Sequence, residues 1–319
     1  MIGHSARTSP PAKLNLFLEI PAKRADGYHE IDTVMTAIDW RDELLVRSIE
    51  KPVVRLDADW LPSRASLESE LGIDPGRPSL LDLPKPEENL VTRALECFRS
   101  EFRIESGFDV RLGKRIPPGA GMGGASSDAA HAISCAAMLH EINDFARLHA
   151  VAAEVGSDVP FFLYKNRFCH AGGRGERLTP LESSLVPEFI VIYPAIGLST
   201  ARVYQELCVP QTPHFSDNFR NCLVEDDFEG AQGEMRNRLQ EPAQQILPRI
   251  SELIDSLWKS GLQTCQLTGS GSACFGIRSE NTDPNVVIEQ LRREFSPGVL
   301  IRAVRSVPAS ADVEISADC

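Results

Sequence analysis

The chain has 319 residues, of which 42% are hydrophobic and 24% charged; that length suits two domains or one large one, and the composition excludes fibres and disordered linkers. Its formal net charge of −12 argues against a surface that gathers nucleic acid or anionic membrane, because phosphates would be repelled. Any phosphate it binds must be held locally.

No apolar stretch reaches the roughly 20 residues of a membrane span; the longest, residues 189–198, contains Pro194 and Gly197. Residues 1–16 lack the apolar core of a signal peptide, so a cytoplasmic location is expected. The eight cysteines form no C-x-x-C pair and read as reduced, mostly buried thiols, Cys319 among them. The seven histidines lack zinc-binding spacing, so no protein-held metal is expected.

In chain order, residues 13–20 alternate as a strand, with Leu14, Leu16, Leu18 and Ile20 on one face and Lys13 and Asn15 on the other. Strands over 28–39 and 43–49 follow the Asp26-Gly27 turn, making an antiparallel start. Residues 60–88 read as a surface insertion without chemistry, carrying a short helix around 65–71 and the proline-rich Asp74-Pro75-Gly76-Arg77-Pro78. A helix over 89–103 and a strand over 108–116 lead to a glycine loop and a long helix over 129–142. Beyond Asp158, a strand is expected over 189–193. Helices are then expected over 201–207, 226–239, 243–259 and 284–295, and strands over 264–268, 273–277 and 300–304. Strands and helices without strict βαβ alternation indicate an α+β fold in two lobes.

The strongest local signal is Pro117-Pro118-Gly119-Ala120-Gly121-Met122-Gly123-Gly124-Ala125-Ser126-Ser127 running into an alanine-rich helix. Glycines let backbone N–H groups approach an anion, and a helix N-terminus adds free donors and partial positive charge. Ser126 or Ser127 could cap the helix or bond a phosphate oxygen. A Walker A loop is excluded because no Lys follows Gly124, and the protein-kinase H-R-D and D-F-G motifs are absent. A dinucleotide fingerprint, Gly119-x-Gly121-x-x-Gly124, and a ligand-free glycine-rich helix entry stay open beside the phosphate reading.

The loop resembles that of the GHMP kinase superfamily, with Met122 where Leu is usual and Ala125 where a glycine is common. Pro11-Ala12-Lys13-Leu14-Asn15-Leu16, Arg24-Ala25-Asp26-Gly27-Tyr28-His29, Gly156-Ser157-Asp158-Val159-Pro160-Phe161-Phe162 and Leu267-Thr268-Gly269-Ser270-Gly271-Ser272 are similar to further motifs in matching order. The resemblance implies a two-lobed fold, with an N-terminal ATP-binding lobe of mixed or antiparallel sheet and helices over 1–165. A ferredoxin-like α+β lobe over 166–319 would complete it. The implied activity is ATP-dependent phosphorylation of the 2-hydroxyl of 4-diphosphocytidyl-2-C-methyl-D-erythritol in the non-mevalonate isoprenoid route. Homoserine, mevalonate or sugar kinases and a non-catalytic nucleotide binder are the alternatives.

On that resemblance Asp158 orients the acceptor hydroxyl and takes its proton, and Lys13 keeps the aspartate ionised and offsets developing charge. ATP would lie on residues 117–127 with Asn89 near the adenine. Mg²⁺ would arrive mainly with the nucleotide. Asn15, Tyr28, His29, Thr200, Tyr204, Gly269, Ser270 and Gly271 would surround the cytidyl-diphosphate polyol, with Tyr28 stacked on the cytosine and His29 bonded to its edge. The partners are small molecules only, with no nucleic acid or membrane; the oligomeric state stays open.

Overall fold

The computed structural model describes residues 2–75 and 80–317; Gly76-Arg77-Pro78 of the expected insertion and Cys319 lie outside the described residues. The chain opens with β1 (His4–Thr8), β2 (Pro11–Lys23), β3 (His29–Arg41), β4 (Glu43–Ile49) and β5 (Val54–Trp60). Next come α1 (Arg64–Leu71), α2 (Leu90–Phe102), β6 (Gly107–Lys114), α3 (Gly124–Leu139) and α4 (Phe145–Val155), then β7 (Phe168–Gly172), β8 (Arg177–Leu181) and β9 (Glu188–Tyr193). The second half carries α5 (Thr200–Gln205), α6 (Asp217–Val224), α7 (Phe228–Glu234), β10 (Arg236–Asn237), α8 (Gln240–Ile246) and α9 (Arg249–Lys259). It closes with β11 (Gln263–Leu267), β12 (Cys274–Ile277), α10 (Pro284–Phe295), β13 (Leu300–Val307) and β14 (Glu314–Ala317). The fold is α+β.

A five-stranded sheet runs β14-β1-β4-β6-β5, and a nine-stranded sheet runs β10-β2-β3-β13-β9-β12-β11 with β7 and β8 branching from β3. α2 buries Val91, Ala94, Leu95 and Phe98, one stripe at helical spacing. That stripe joins Ile133 of α3, Val151 of α4 and Phe108 and Val110 of β6 in one core. A second core gathers Leu253 and Leu257 of α9, Leu291 of α10 and Ile190 and Ile192 of β9, and a third gathers Leu14 and Leu16 of β2, Phe189 and Val191 of β9 and Phe275 of β12.

Several expectations change. The pairing of β2 with β3 slips between Asn15 and Phe17, a bulge that redirects the side chains beyond it. Leu14 and Leu16 therefore sit in one core and Leu18 and Ile20 in another, not on one face, and β2 is buried on both sides over most of its length. The 60–88 segment is not purely superficial: Trp60, Leu67, Leu71 and Leu81 are buried, and the Trp60 indole donates to the Leu81 carbonyl at 2.7 Å. The expected helix over 226–239 is α7 followed by the short strand β10, and that over 243–259 is split into α8 and α9 around Leu247 and Pro248. Pro248, having no N–H to give, begins a new helix instead of continuing the old one. Near the C-terminus, Glu314–Ala317 pairs as β14 with β1.

Candidate active site

The glycine loop is seated between the first strand of the large sheet and the turn after β11. The Lys13 N–H donates to Met122 O at 2.9 Å, and the Ala273 N–H donates to Ala120 O at 3.1 Å. Gly119, Gly121 and Gly123 all have positive φ, and a Cβ on Gly121 would stand 2.3 Å from Thr268 O; glycine is required there by contact as well as conformation. The helix cap differs from expectation. Gly123, in the left-handed conformation, is the N-cap of α3 and no side chain caps it. Ser126 lines a cavity of about 260 Å³ along the loop together with Leu83, Pro84, Asn89 and residues 117–125. Ser127 is buried, its hydroxyl 3.4 Å from His131 Nδ1. Asn89 caps α2, its side-chain oxygen accepting from the Val91 N–H at 2.9 Å, while also lining the cavity.

On the other side of the loop lies a cavity of about 180 Å³ lined by Lys13, Asn15, Thr33, Gly121, Gly123, Asp158, Arg174, Thr200, Tyr204, Gly269 and Ser270, among others. Lys13 Nζ stands 3.9 Å from Asp158 Oδ2, with the lysine side chain 5% exposed and the aspartate 42%. Burial lowers the Lys13 pKa, and Asp158 offsets this only in part. Lys13 Nζ also donates to Asn15 Oδ1. Asn15 is fixed in turn: its Nδ2 donates to Thr33 Oγ1 at 2.9 Å, and its backbone N–H donates to Thr268 Oγ1 at 3.0 Å.

The second glycine loop closes this cavity. Asn237 Nδ2 donates to the carbonyls of Leu267 and Gly269, both at 2.8 Å. Ser270 Oγ lies 2.9 Å from Thr200 Oγ1. Gly271 is outside the cavity lining, and a Cβ there would stand 2.9 Å from Leu267 Cδ1 and 3.3 Å from Leu198 Cδ1. Tyr204 lines it with its ring centroid 5.0 Å from that of His29; burial and the Asp158 charge raise its pKa. Tyr28 is 56% exposed and outside the cavity lining, with the Arg174 guanidinium 4.9 Å from its ring centroid.

Arg174, Thr33 and Asn237 escaped the sequence reading. Arg174 sits in the β7–β8 turn between Gly173 and Gly175, and a cation framed by glycines in a hairpin was the signal for it. Thr33 and Asn237 are polar residues on short or long strands, and only tertiary pairing brings them here. Among the described residues no group of three or more His, Cys, Asp or Glu could hold a metal ion, and no helix is long and apolar enough to cross a membrane.

The pattern of the N-terminal domain of GHMP kinases matches residues 89–166. The chain is 43% identical to the 4-diphosphocytidyl-2-C-methyl-D-erythritol kinase of Rhodopirellula baltica, the match covering 97% of this chain and 98% of the relative. It is 32% identical to the enzyme of the same name from Chlorobium phaeobacteroides, over 89% and 93% of the two chains. Among solved structures it is similar to a 4-(cytidine 5'-diphospho)-2C-methyl-D-erythritol kinase, with TM-score 0.72 and 27% identity over 94% of this chain and 99% of the other. The homoserine kinase of Cytophaga hutchinsonii shares the fold, with TM-score 0.70 at 17% identity over 99% and 98% of the two chains.

Proposed function

From its place in the family of 4-diphosphocytidyl-2-C-methyl-D-erythritol kinases, to which the chain belongs, we propose that it transfers the γ-phosphoryl group of ATP to the 2-hydroxyl of 4-diphosphocytidyl-2-C-methyl-D-erythritol. The observation that carries this reading is the pairing of Lys13 with Asp158 at 3.9 Å on the strand bonded directly to the glycine loop. Phosphoryl transfer asks a protein for position and charge more than for covalent chemistry. Asp158, half in solvent, would accept a hydrogen bond from the acceptor hydroxyl and later its proton. Lys13, nearly dry and incompletely neutralised, strengthens its field where negative charge develops. The N–H groups of the loop and the first turn of α3 would receive the nucleotide phosphates, with Mg²⁺ carried mainly by the nucleotide and supplying charge neutralisation there.

Asn15 and Thr33, locked by their mutual bond, suit the polyol. Thr200 and Ser270 suit the substrate's diphosphate, and His29 with Tyr204 its cytosine. Tyr28 would join them by swinging inward from its exposed position, with Arg174 moving alongside. The lobe division near Lys165, a cytoplasmic location and restriction to small-molecule partners belong to the same proposal. The test is an acceptor panel: 4-diphosphocytidyl-2-C-methyl-D-erythritol, mevalonate, homoserine and galactose with Mg·ATP, followed by ADP release and by ³¹P NMR of the product. A new monophosphate ester on the cytidyl substrate alone supports the reading; turnover of another alcohol in its place overturns it.

A further inference from the structure

A second set of buried charges lies on the far side of the glycine loop from Lys13. Lys114 ends β6 with its ammonium buried, bonded to Asp42 Oδ2 and, at 2.5 Å, to Asp128 Oδ2. Asp42, wholly buried between β3 and β4, accepts through Oδ1 from the backbone N–H of Arg115 and, at 2.8 Å, from that of Ile116. Asp128 is in the second turn of α3, and its Oδ1 has no hydrogen-bond partner among the described residues. Both Lys114 and Asp128 line the nucleotide-side cavity, and a Cβ on Gly124 would stand 3.4 Å from Lys114 Nζ.

The topology gives these bonds a consequence. Ile116 enters the loop and Asp128 follows its exit, so one ammonium and one carboxylate tie both ends of a segment whose own backbone is made pliable by Gly119, Gly121 and Gly123. Burial opposes the Lys114 charge, but the carboxylates of Asp128 and Asp42 outweigh it and raise the lysine pKa. Burial, helped by the neighbouring Asp42 carboxylate, raises the Asp128 pKa, and the Lys114 charge works against that rise.

We propose that Lys114, Asp42 and Asp128 are positioning residues for the nucleotide: they set the spacing between the loop entry and the first turn of α3, so that the N–H groups are aimed at the phosphates before ATP arrives. Ordering the loop is then completed on folding and not charged against nucleotide affinity. This inference rests on the nucleotide reading of the loop.

The test combines calorimetric ATP binding without acceptor, steady-state KM for each substrate and thermal unfolding. It uses Asp128→Ala, Asp128→Asn and the double variant Lys114→Met/Asp128→Leu. Asp128→Ala is expected to raise Kd and KM for ATP about tenfold while KM for the acceptor stays within about twofold. Asp128→Asn, whose amide oxygen still accepts from Lys114, is expected to return most of that loss. The double variant removes both charges of the Lys114–Asp128 pair but leaves Asp42 buried on the backbone N–H groups of Arg115 and Ile116 without its cation, so Tm is expected to fall below that of wild type while KM for ATP stays raised. Folded Asp128→Ala and double variants with wild-type KM for ATP would overturn the proposal, as would Asp128→Asn as impaired as Asp128→Ala. Wild type that fails to bind ATP at all would instead remove the nucleotide reading beneath it.

Discussion

Two buried lysines flank the glycine loop, and they are held in opposite ways. Lys114 has two carboxylates in direct contact, and they raise its pKa against the effect of burial. Lys13 has one, at 3.9 Å and partly in water, and burial lowers its pKa. A buried charge with full local compensation is an architectural part, whereas one left under-compensated keeps a field to offer a newcomer. The lysine that looks worse placed for stability is the one proposed to act on the transferring phosphoryl group.

The largest expected effect that sharpens this contrast is on catalysis. Asp158→Ala should lower kcat by about 10²–10⁴-fold, while calorimetric ATP binding stays near wild type. The next effect is on stability: Lys114→Met leaves Asp42 and Asp128 buried without their cation, which should cost roughly 3–5 kcal/mol in denaturant unfolding. A loss under about 1 kcal/mol would break the contrast.

Protonation gives a third distinction. The native pKa of Lys13 lies below its unfolded value of about 10.4, so between the two the unfolded state binds more protons and stability rises with pH. Lys114, shifted upward, contributes stability that is whole below about 10.4 and lost above it. Replacing Lys13 by Met should therefore abolish an alkaline rise in stability that Lys114→Met leaves in place. The smallest effect concerns His131, buried in α3, which accepts from the Ala311 N–H at 2.8 Å through Nε2. Burial holds its pKa down to about 4. The stability it contributes is whole above about 6.5 and lost as pH falls from there toward 4, a slope that His131→Gln should flatten in pH-dependent thermal unfolding.

What the sequence reveals divides along local and non-local lines. α10 was legible to the residue, because Asp283 caps it and Pro284 opens it. The stripe of α2 was legible from spacing. The bulge at Leu16 was not, since register is decided by β3, and β1 and β14 pair across nearly the whole chain. In the candidate site, the glycine loop, Lys13, Asp158 and Gly269-Ser270 stand in recognisable motifs, and they gather around adjoining cavities. The Lys114–Asp42 contact spans 72 positions and carries no local pattern. Neither does the Asn237 clamp on the second glycine loop. The Leu247-Pro248 break, by contrast, stands in the sequence as a proline inside a helical pattern.

The decisive experiment is the steady-state rate of Lys13→Met with both substrates saturating, taken on protein whose Tm is recorded beside wild type. If Lys13 acts on the transferring group, Tm stays at or above that of wild type at neutral pH while kcat falls by about 100-fold or more. A folded Lys13→Met enzyme that turns over within a few-fold of wild type would contradict it.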